Sequence, residues 1–303
     1  MVGVQESMWS LTAAAEPAPA DAALLRRIST HLAGIAAAHV RARRPEVFGP
    51  GGVSDAAVRT KSTVTDPVTV VDTETEQLIR DELARVRPAD HILGEEGGGD
   101  LAAAGADDVV WVVDPIDGTV NFLYGIPAYA VSVAAVRGGR PVAGAVADVA
   151  ASTLYAAGAG LGASRIGMDG TDIPLRCNPV RSARLALVAT GFGYAVPRRT
   201  RQAAYVAELL PHVRDIRRIG AAALDLCMVA EGRVDAHYEH GLNPWDWAAG
   251  ALIAAEAGAM LRLPPMATTG AAGELVVAAA PGIGDELFAL LDRLGVSAAI
   301  PES

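Results

Sequence analysis

Two acids in Asp114-Pro115-Ile116-Asp117-Gly118-Thr119 carry the first hint of chemistry in this chain. They follow the apolar run 109–113, whose length and β-branched content predict a short buried strand. Asp114, Asp117 and the Ile116 carbonyl therefore stand where a strand gives way to a turn. Hard oxygen donors converging at such a point suit Mg²⁺. The same residues also suit a plain turn, with aspartates as turn formers and Thr119 as a helix N-cap. Asp169-Gly170-Thr171 repeats the tripeptide in what reads as a hairpin turn, so Asp-Gly-Thr alone decides nothing.

Three further acids share this kind of setting. Asp72 stands just ahead of a helix expected over 73–86, where Thr73 and Glu76 have capping-box spacing. An acid favoured by the helix dipole accounts for it equally well. Glu95 and Glu96 end a short strand at 92–94 and open the loop Gly97-Gly98-Gly99; adjacent carboxylates repel unless solvated or paired. Asp246, behind Asn243-Pro244-Trp245, opens a helix at 247–257, and Pro244 suits its start. Asp72, Glu95, Asp114, Asp117 and Asp246 thus all lie at strand or helix junctions, where loops gather in layered α/β structures. If gathered, they require bound cations. Carboxylate-rich, histidine-poor ligation favours Mg²⁺ over Zn²⁺. Two Mg²⁺ ions ~3.5–4 Å apart are the usual apparatus for attacking a phosphate ester with activated water. Helix N-termini after Gly118-Thr119 and at Asp246 would add amide donors for phosphate oxygens.

The elements that must position these acids fall into two halves. Residues 1–20, rich in Ala and Pro without periodicity, read as a disordered tail. The half 21–175 opens with a helix over 21–43, and 49–54 is a glycine-rich loop. The helix 73–86 follows, then a mostly antiparallel sheet with strands at 128–136, 142–150, 153–157 and 165–175. From about 176 to 303, strands at 185–190, 215–219, 234–239 and 275–279 alternate with helices at 201–210, 220–231, 247–257 and 284–294. That alternation suggests a parallel-type α/β half.

Composition limits the classes available. The 303 residues are 51% apolar and 20% charged, as in a globular protein with a large core. A net charge of −10 disfavours nucleic acid or an anionic membrane as the main partner. No apolar run reaches the length of a membrane span and no signal pattern opens the chain, so cytoplasm is the default. Cys177 and Cys227 form no framework and no metal-ligand spacing; buried free thiols are expected. Lys61 is the only lysine among 25 basic residues. It marks either a position where arginine does not substitute or a codon that escaped GC-rich drift.

Gly94-Glu95-Glu96, the central motif extended through Val120-Asn121-Phe122, and Trp245-Asp246 before a small-residue helix together resemble the inositol monophosphatase family, in the form its bacterial, actinobacterial-type members carry. The likeness runs from the first helix to the last. It implies a five-layered αβαβα sandwich of the sugar-phosphatase type, a homodimer, lithium sensitivity and two to three Mg²⁺ ions per site. By this resemblance Glu95, Asp114 and the Ile116 carbonyl hold the first ion. Asp114, Asp117 and Asp246 hold the second, and Glu95 helps with a weaker third. Thr119, paired with Asp72, orients and deprotonates the attacking water, while amides at Gly118 and Thr119 cradle the phosphate. Gly220, Ala222 and Glu239 match positions that contact the polyol. Lys61 matches a lysine on a mobile metal-binding loop, and Glu96 matches the second acid of the family pair, behind Glu95 as a direct ligand.

The implied activity is hydrolysis of myo-inositol 1-phosphate and related polyol phosphates by metal-activated water. No Ser, Cys or His stands in a nucleophile motif, so no covalent intermediate is expected. Fructose 1,6-bisphosphate and histidinol phosphate are alternative substrates on the same core. Adenosine 3′,5′-bisphosphate would need a basic cluster, for which only Arg217-Arg218 offers itself. A regulatory interaction protein that keeps the fold is the alternative outside enzymes. A nucleotide-binding module on Gly97-Gly98-Gly99 lacks both a phosphate-loop lysine and a dinucleotide fingerprint.

Overall fold

The computed structural model describes residues 19–48, 58–60, 67–101, 104–167 and 169–302. Lys61 and the glycine-rich loop 49–54 lie outside them, as do residues 1–18. Helix α1 (Pro19–Phe48) takes in two residues that the sequence assigns to the tail and runs past the expected end at 43. A short antiparallel pair, β1 (Val58–Thr60) and β2 (Pro67–Thr69), leads into helix α2 (Val70–Val86).

Seven strands follow as one sheet in sequence order: β3 (His91–Gly94), β4 (Val110–Asp117), β5 (Ala130–Arg137), β6 (Arg140–Asp148), β7 (Thr153–Gly158), β8 (Ala163–Ile166) and β9 (Asp172–Pro174). The pair β3–β4 is parallel and every other neighbour antiparallel. Helix α3 (Thr119–Tyr124) sits between β4 and β5. Asp169-Gly170-Thr171 lies in the exposed turn between β8 and β9, where the Thr171 amide donates to Asp169 Oδ1 at 3.0 Å.

The second sheet has the order β11-β10-β12-β14-β13, formed by β10 (Leu187–Thr190), β11 (Asp215–Arg217), β12 (Ala236–His240), β13 (Met260–Arg262) and β14 (Leu275–Ala279). Its helices are α4 (Val196–Leu209), α5 (Ala222–Glu231), α6 (Pro244–Glu256) and α7 (Gly284–Arg293). The parallel reading of this half needs correction. Strand β10 is parallel to β11 and β12, but β14 is antiparallel to both β12 and β13. Strand β13 escaped the sequence because three residues ahead of Leu263-Pro264-Pro265 show no alternation to read.

Five layers result. Leu25 and Leu32 of α1 and Ile79 and Leu83 of α2 pack on Trp111 and Val113 of β4. The alternate β4 residues, Val110 and Val112, face the middle layer with Leu226 of α5 and Trp247 and Leu252 of α6. That layer also packs on Val276 and Ala278 of β14, while Val277 faces Tyr205 of α4 and Leu287 of α7. Burial on both faces explains why the strands read as continuous apolar runs. Among the described residues no helix is long and apolar enough to cross a membrane.

Candidate active site

Strand β4 does not end at 113 but continues through Pro115 to Asp117. Its register with β5 passes from Asp114↔Ser132 to Asp117↔Ala130, so three steps on β4 oppose two on β5. In a regular strand, residues three apart point to opposite faces. The extra residue of the bulge reverses that phase and brings both carboxylates to one cleft, and Pro115 sits where a missing N–H is tolerated. Asp114 Oδ1 accepts the Ile116 amide at 2.9 Å. The chain then turns at Gly118 (φ 87°), where a Cβ would lie 2.9 Å from the Ala128 carbonyl oxygen. Thr119 is the first residue of α3 rather than its N-cap, which is Gly118.

Three of the acids are held by helix N-termini. Helix α2 begins three residues earlier than its capping-box spacing suggested: Thr69, not Thr73, is the N-cap, and Asp72 is the third helical residue rather than one ahead of the helix. Asp72 Oδ2 accepts the Thr69 amide at 2.9 Å and the Thr69 hydroxyl. Its other oxygen, Oδ1, accepts from Thr119 Oγ1 at 3.3 Å, and the same hydroxyl lies 2.9 Å from the Ile116 carbonyl. Asp246 repeats the arrangement on α6, whose start is at Pro244: its Oδ2 accepts the N-cap Asn243 amide at 2.7 Å. Asp117 reaches across to α5 and accepts the amides of Ala222 at 3.3 Å and Ala223 at 2.7 Å. The N-terminus of α5 is thereby tied to β4, and Asn121 Nδ2 adds a 2.9 Å bond to the Ile219 carbonyl.

The turn bearing Glu95 and Glu96 is fixed by a residue that sequence reasoning placed elsewhere. Glu76 does not cap α2; its buried carboxylate accepts the amides of Glu96 at 2.7 Å and Gly97 at 2.8 Å, and Arg80 Nε at 2.8 Å. An acid followed by an arginine at i+4 reads as an ordinary surface pair, so only its burial reveals the task. Glu76→Ala leaves two amides and a guanidinium without their acceptor. It is expected to cost about 2–4 kcal/mol in urea unfolding. A loss below about 0.5 kcal/mol would contradict this clamp.

These acids line an open cleft of about 410 Å³. Glu95, Asp114, Ile116, Asp117, Gly118, Thr119 and Asp246 share it with Gly220, Ala222 and Glu239, whereas Asp72 meets it only through Thr119. Glu96 is not part of the lining. Sequence reasoning did not pick out the wall formed by Gly191, Phe192, Gly193 and Tyr194, or buried Arg198. Arg198 donates to the carbonyls of Ile300 at 2.8 Å and Gly270 at 2.8 Å, binding the C-terminal segment to the cleft rim. Arg218, exposed, stands at the same cleft.

Electrostatically the cleft is under tension. Burial raises Asp114 well above the ordinary carboxylate range, and repulsion from Glu95, Asp117 and Asp246 adds to it. Burial, with Glu95 and Asp117 nearby, likewise raises Asp246. Burial pushes Asp117 to about 7 against the Ala223 amide, and Asp72 to about 7 against the Thr69 bonds. Among the described residues no three Asp, Glu, His or Cys groups close into a ready-made ligand shell. Asp72, Asp114, Asp117 and Asp246 instead turn an oxygen to a backbone amide. The available donors, carboxylates and a carbonyl without thiol or imidazole, suit a hard divalent cation, and a cation would relieve the repulsion.

A pH dependence follows. Asp72 and Asp117 have folded values near 7 against 3.8 for the free group, so the folded state binds more protons between these limits. Stability then falls as pH rises through that window. The chelated protein should melt lower at pH 8 than at pH 5, with saturating Mg²⁺ removing the drop. A flat or rising melting temperature in chelator would contradict this.

Five layers around a carboxylate-lined cleft belong to the sugar-phosphatase class of folds. The chain belongs to the inositol monophosphatase family, a phosphatase family whose members use metal ions: the family model matches residues 24–293. It is 60% identical over 287 residues to the inositol-1-monophosphatase SuhB of Mycobacterium tuberculosis (strain ATCC 25618 / H37Rv), covering 93% of this chain and 98% of that protein. The solved structure of Mycobacterium tuberculosis SuhB matches with a TM-score of 0.75 and 55% identity, over 93% of this chain and 98% of that one. A Nus factor SuhB of Haemophilus influenzae (strain ATCC 51907 / DSM 11121 / KW20 / Rd) is 38% identical over 209 residues, 68% of this chain and 75% of that protein.

Proposed function

We propose that the chain hydrolyses myo-inositol 1-phosphate and related polyol phosphates to the polyol and inorganic phosphate, with Mg²⁺ as its cofactor. The observation that carries this reading is one cleft lined both by the oxygen donors and by Glu239. Relatives named inositol-1-monophosphatase, matched over nearly their whole length, support it. Glu95, Asp114 and the Ile116 carbonyl would hold one ion, and Asp114, Asp117 and Asp246 a second, with Glu95 serving a weaker third. When bound, Mg²⁺ neutralises phosphate charge and lowers the pKa of attacking water.

The chain's own groups would do the rest. Thr119 Oγ1, bonded to Asp72, orients the attacking water, and Asp72, raised by burial to about 7 and ionised above that pH, receives the proton passed on by Thr119. The amides of Gly118 and Thr119 face developing charge on the phosphate oxygens. Glu239 accepts hydrogen bonds from ring hydroxyls beside Gly220 and Ala222. Lys61, outside the described residues, would assist metal binding, as the family resemblance implies.

Phosphate release from inositol 1-phosphate and fructose 1,6-bisphosphate, measured side by side with Mg²⁺ titrated, tests the reading. Mg²⁺-dependent turnover favouring inositol 1-phosphate is expected; preference for the bisphosphate would reassign the substrate. The relatives named Nus factor favour a second reading, an interaction protein that retains the fold. Absence of turnover of either ester with Mg²⁺ bound would select it.

A further inference from the structure

A buried polar cluster lies directly behind the cleft. His237 of β12 is fully buried, its Nδ1 3.8 Å from Asp225 Oδ2 and its Nε2 3.9 Å from Glu239 Oε2. Asp225 stands in the first turn of α5, the helix whose opening amides hold Asp117. Neither ring nitrogen and neither Asp225 oxygen has a hydrogen-bond partner. Four orphaned polar atoms at one buried spot are far from the rule for protein interiors. They are accounted for if the three side chains act as a unit. Gaps of 3.8 and 3.9 Å are closed by a small ring tilt or by one bridging water.

Proton counting gives the unit a direction. A neutral imidazole offers one donor and one acceptor, so of two carboxyl groups flanking it one must keep its proton. Asp225 is sealed in the interior, and burial raises it well above the ordinary carboxylate range. Glu239 faces the cleft; burial pushes it up to about 8, with Asp117 adding and Arg218 opposing, and a hydrogen bond from Nε2–H draws it back towards the charged form. The protonated Asp225 then donates to Nδ1, and Nε2–H donates to the Glu239 carboxylate. Gly191 bounds the carboxylate from another side: a Cβ there would collide with both Glu239 oxygens.

We infer that His237, backed by Asp225, is a positioning residue that holds Glu239 as an oriented acceptor for the hydroxyls of the substrate. This rests on the proposed role of Glu239 in polyol binding. The test is a double-mutant cycle of His237→Phe and Glu239→Gln. Its readout is the ratio of kcat/KM for inositol 1-phosphate to that for p-nitrophenyl phosphate, which has no ring hydroxyls. His237→Phe should lower the ratio about tenfold and Glu239→Gln at least as much, with the double variant no worse than Glu239→Gln alone.

If Glu239→Gln lowers the ratio but His237→Phe leaves it within about twofold of wild type, the inference falls and the role of Glu239 stands. If Glu239→Gln leaves the ratio unmoved, the role of Glu239 falls and the inference with it. Should His237→Phe fail to fold, ring ¹⁵N shifts of His237 in the wild-type protein decide. A fixed Nε2–H tautomer at pH 7, perturbed by Asp225→Asn, supports the relay; the Nδ1–H tautomer or an averaging ring overturns it.

Discussion

Asp114→Asn is expected to lower turnover by roughly a thousandfold or more and, in chelator, to raise the melting temperature. Asp114 is 2% exposed and surrounded by Glu95, Asp117 and Asp246. Its charge is therefore a liability to the metal-free fold, while the proposed function makes it the oxygen donor shared by two ions. Asparagine keeps the side-chain shape and the oxygen that accepts the Ile116 amide. Removing the charge relieves repulsion by about 1 kcal/mol, equivalent to roughly 1–2 °C in a chain of 303 residues. The stabilising increment from Mg²⁺ should shrink at the same time. Thermal melts with and without Mg²⁺, run beside a phosphate-release assay, check all three effects. Retained turnover, or a lower melting temperature in chelator, would contradict the account.

Thr119→Val is expected to reduce kcat by about 10²–10⁴-fold with little change in KM. Valine has nearly the shape of threonine and lacks only the hydroxyl that meets Asp72 Oδ1 at 3.3 Å and the Ile116 carbonyl at 2.9 Å. Those bonds contribute about 1 kcal/mol each to stability at most, so the variant should fold. Thr119→Ser restores the hydroxyl and should recover kcat to within about tenfold of wild type. Steady-state kinetics of the two variants check this, and a kcat for Thr119→Val within about threefold of wild type would remove Thr119 from the chemistry.

Much of the cleft was legible because its acids stand at element junctions, and junctions are marked by proline, glycine and capping residues. Asp114, Asp117 and Asp246 could be read as neighbours before any fold was known. What lay beyond reach was how they are turned. Asp114 and Asp117 share a cleft only through a bulge in β4, and a bulge is a property of the pairing with β5 rather than of either strand alone. Helix α2 begins at Val70 because Thr69 and Asp72 form the box; Thr73 and Glu76 have the same local spacing, and burial of Glu76 against the 95–97 turn decided between them.

The fold itself was legible to the level of its layers and of most strands, whose apolar runs follow from burial on both faces. Strand β13 and the antiparallel placement of β14 were not, since three residues carry no period and strand direction depends on where the chain crosses. Asp225 and His237 belong to no motif in the sequence. Their alignment behind Glu239 depends on α5 and β12 meeting in space, a tertiary contact that the eleven intervening positions do not announce.

The proposed function requires metal to gather in one cleft between Glu95, Asp114, Asp117 and Asp246. Diffraction from crystals grown with Mn²⁺ in place of Mg²⁺ tests it most directly, because Mn²⁺ scatters anomalously where Mg²⁺ does not. Anomalous peaks are expected among these carboxylates, with Asp114 contacting two of them. Peaks elsewhere, or an empty cleft at saturating Mn²⁺, would contradict it.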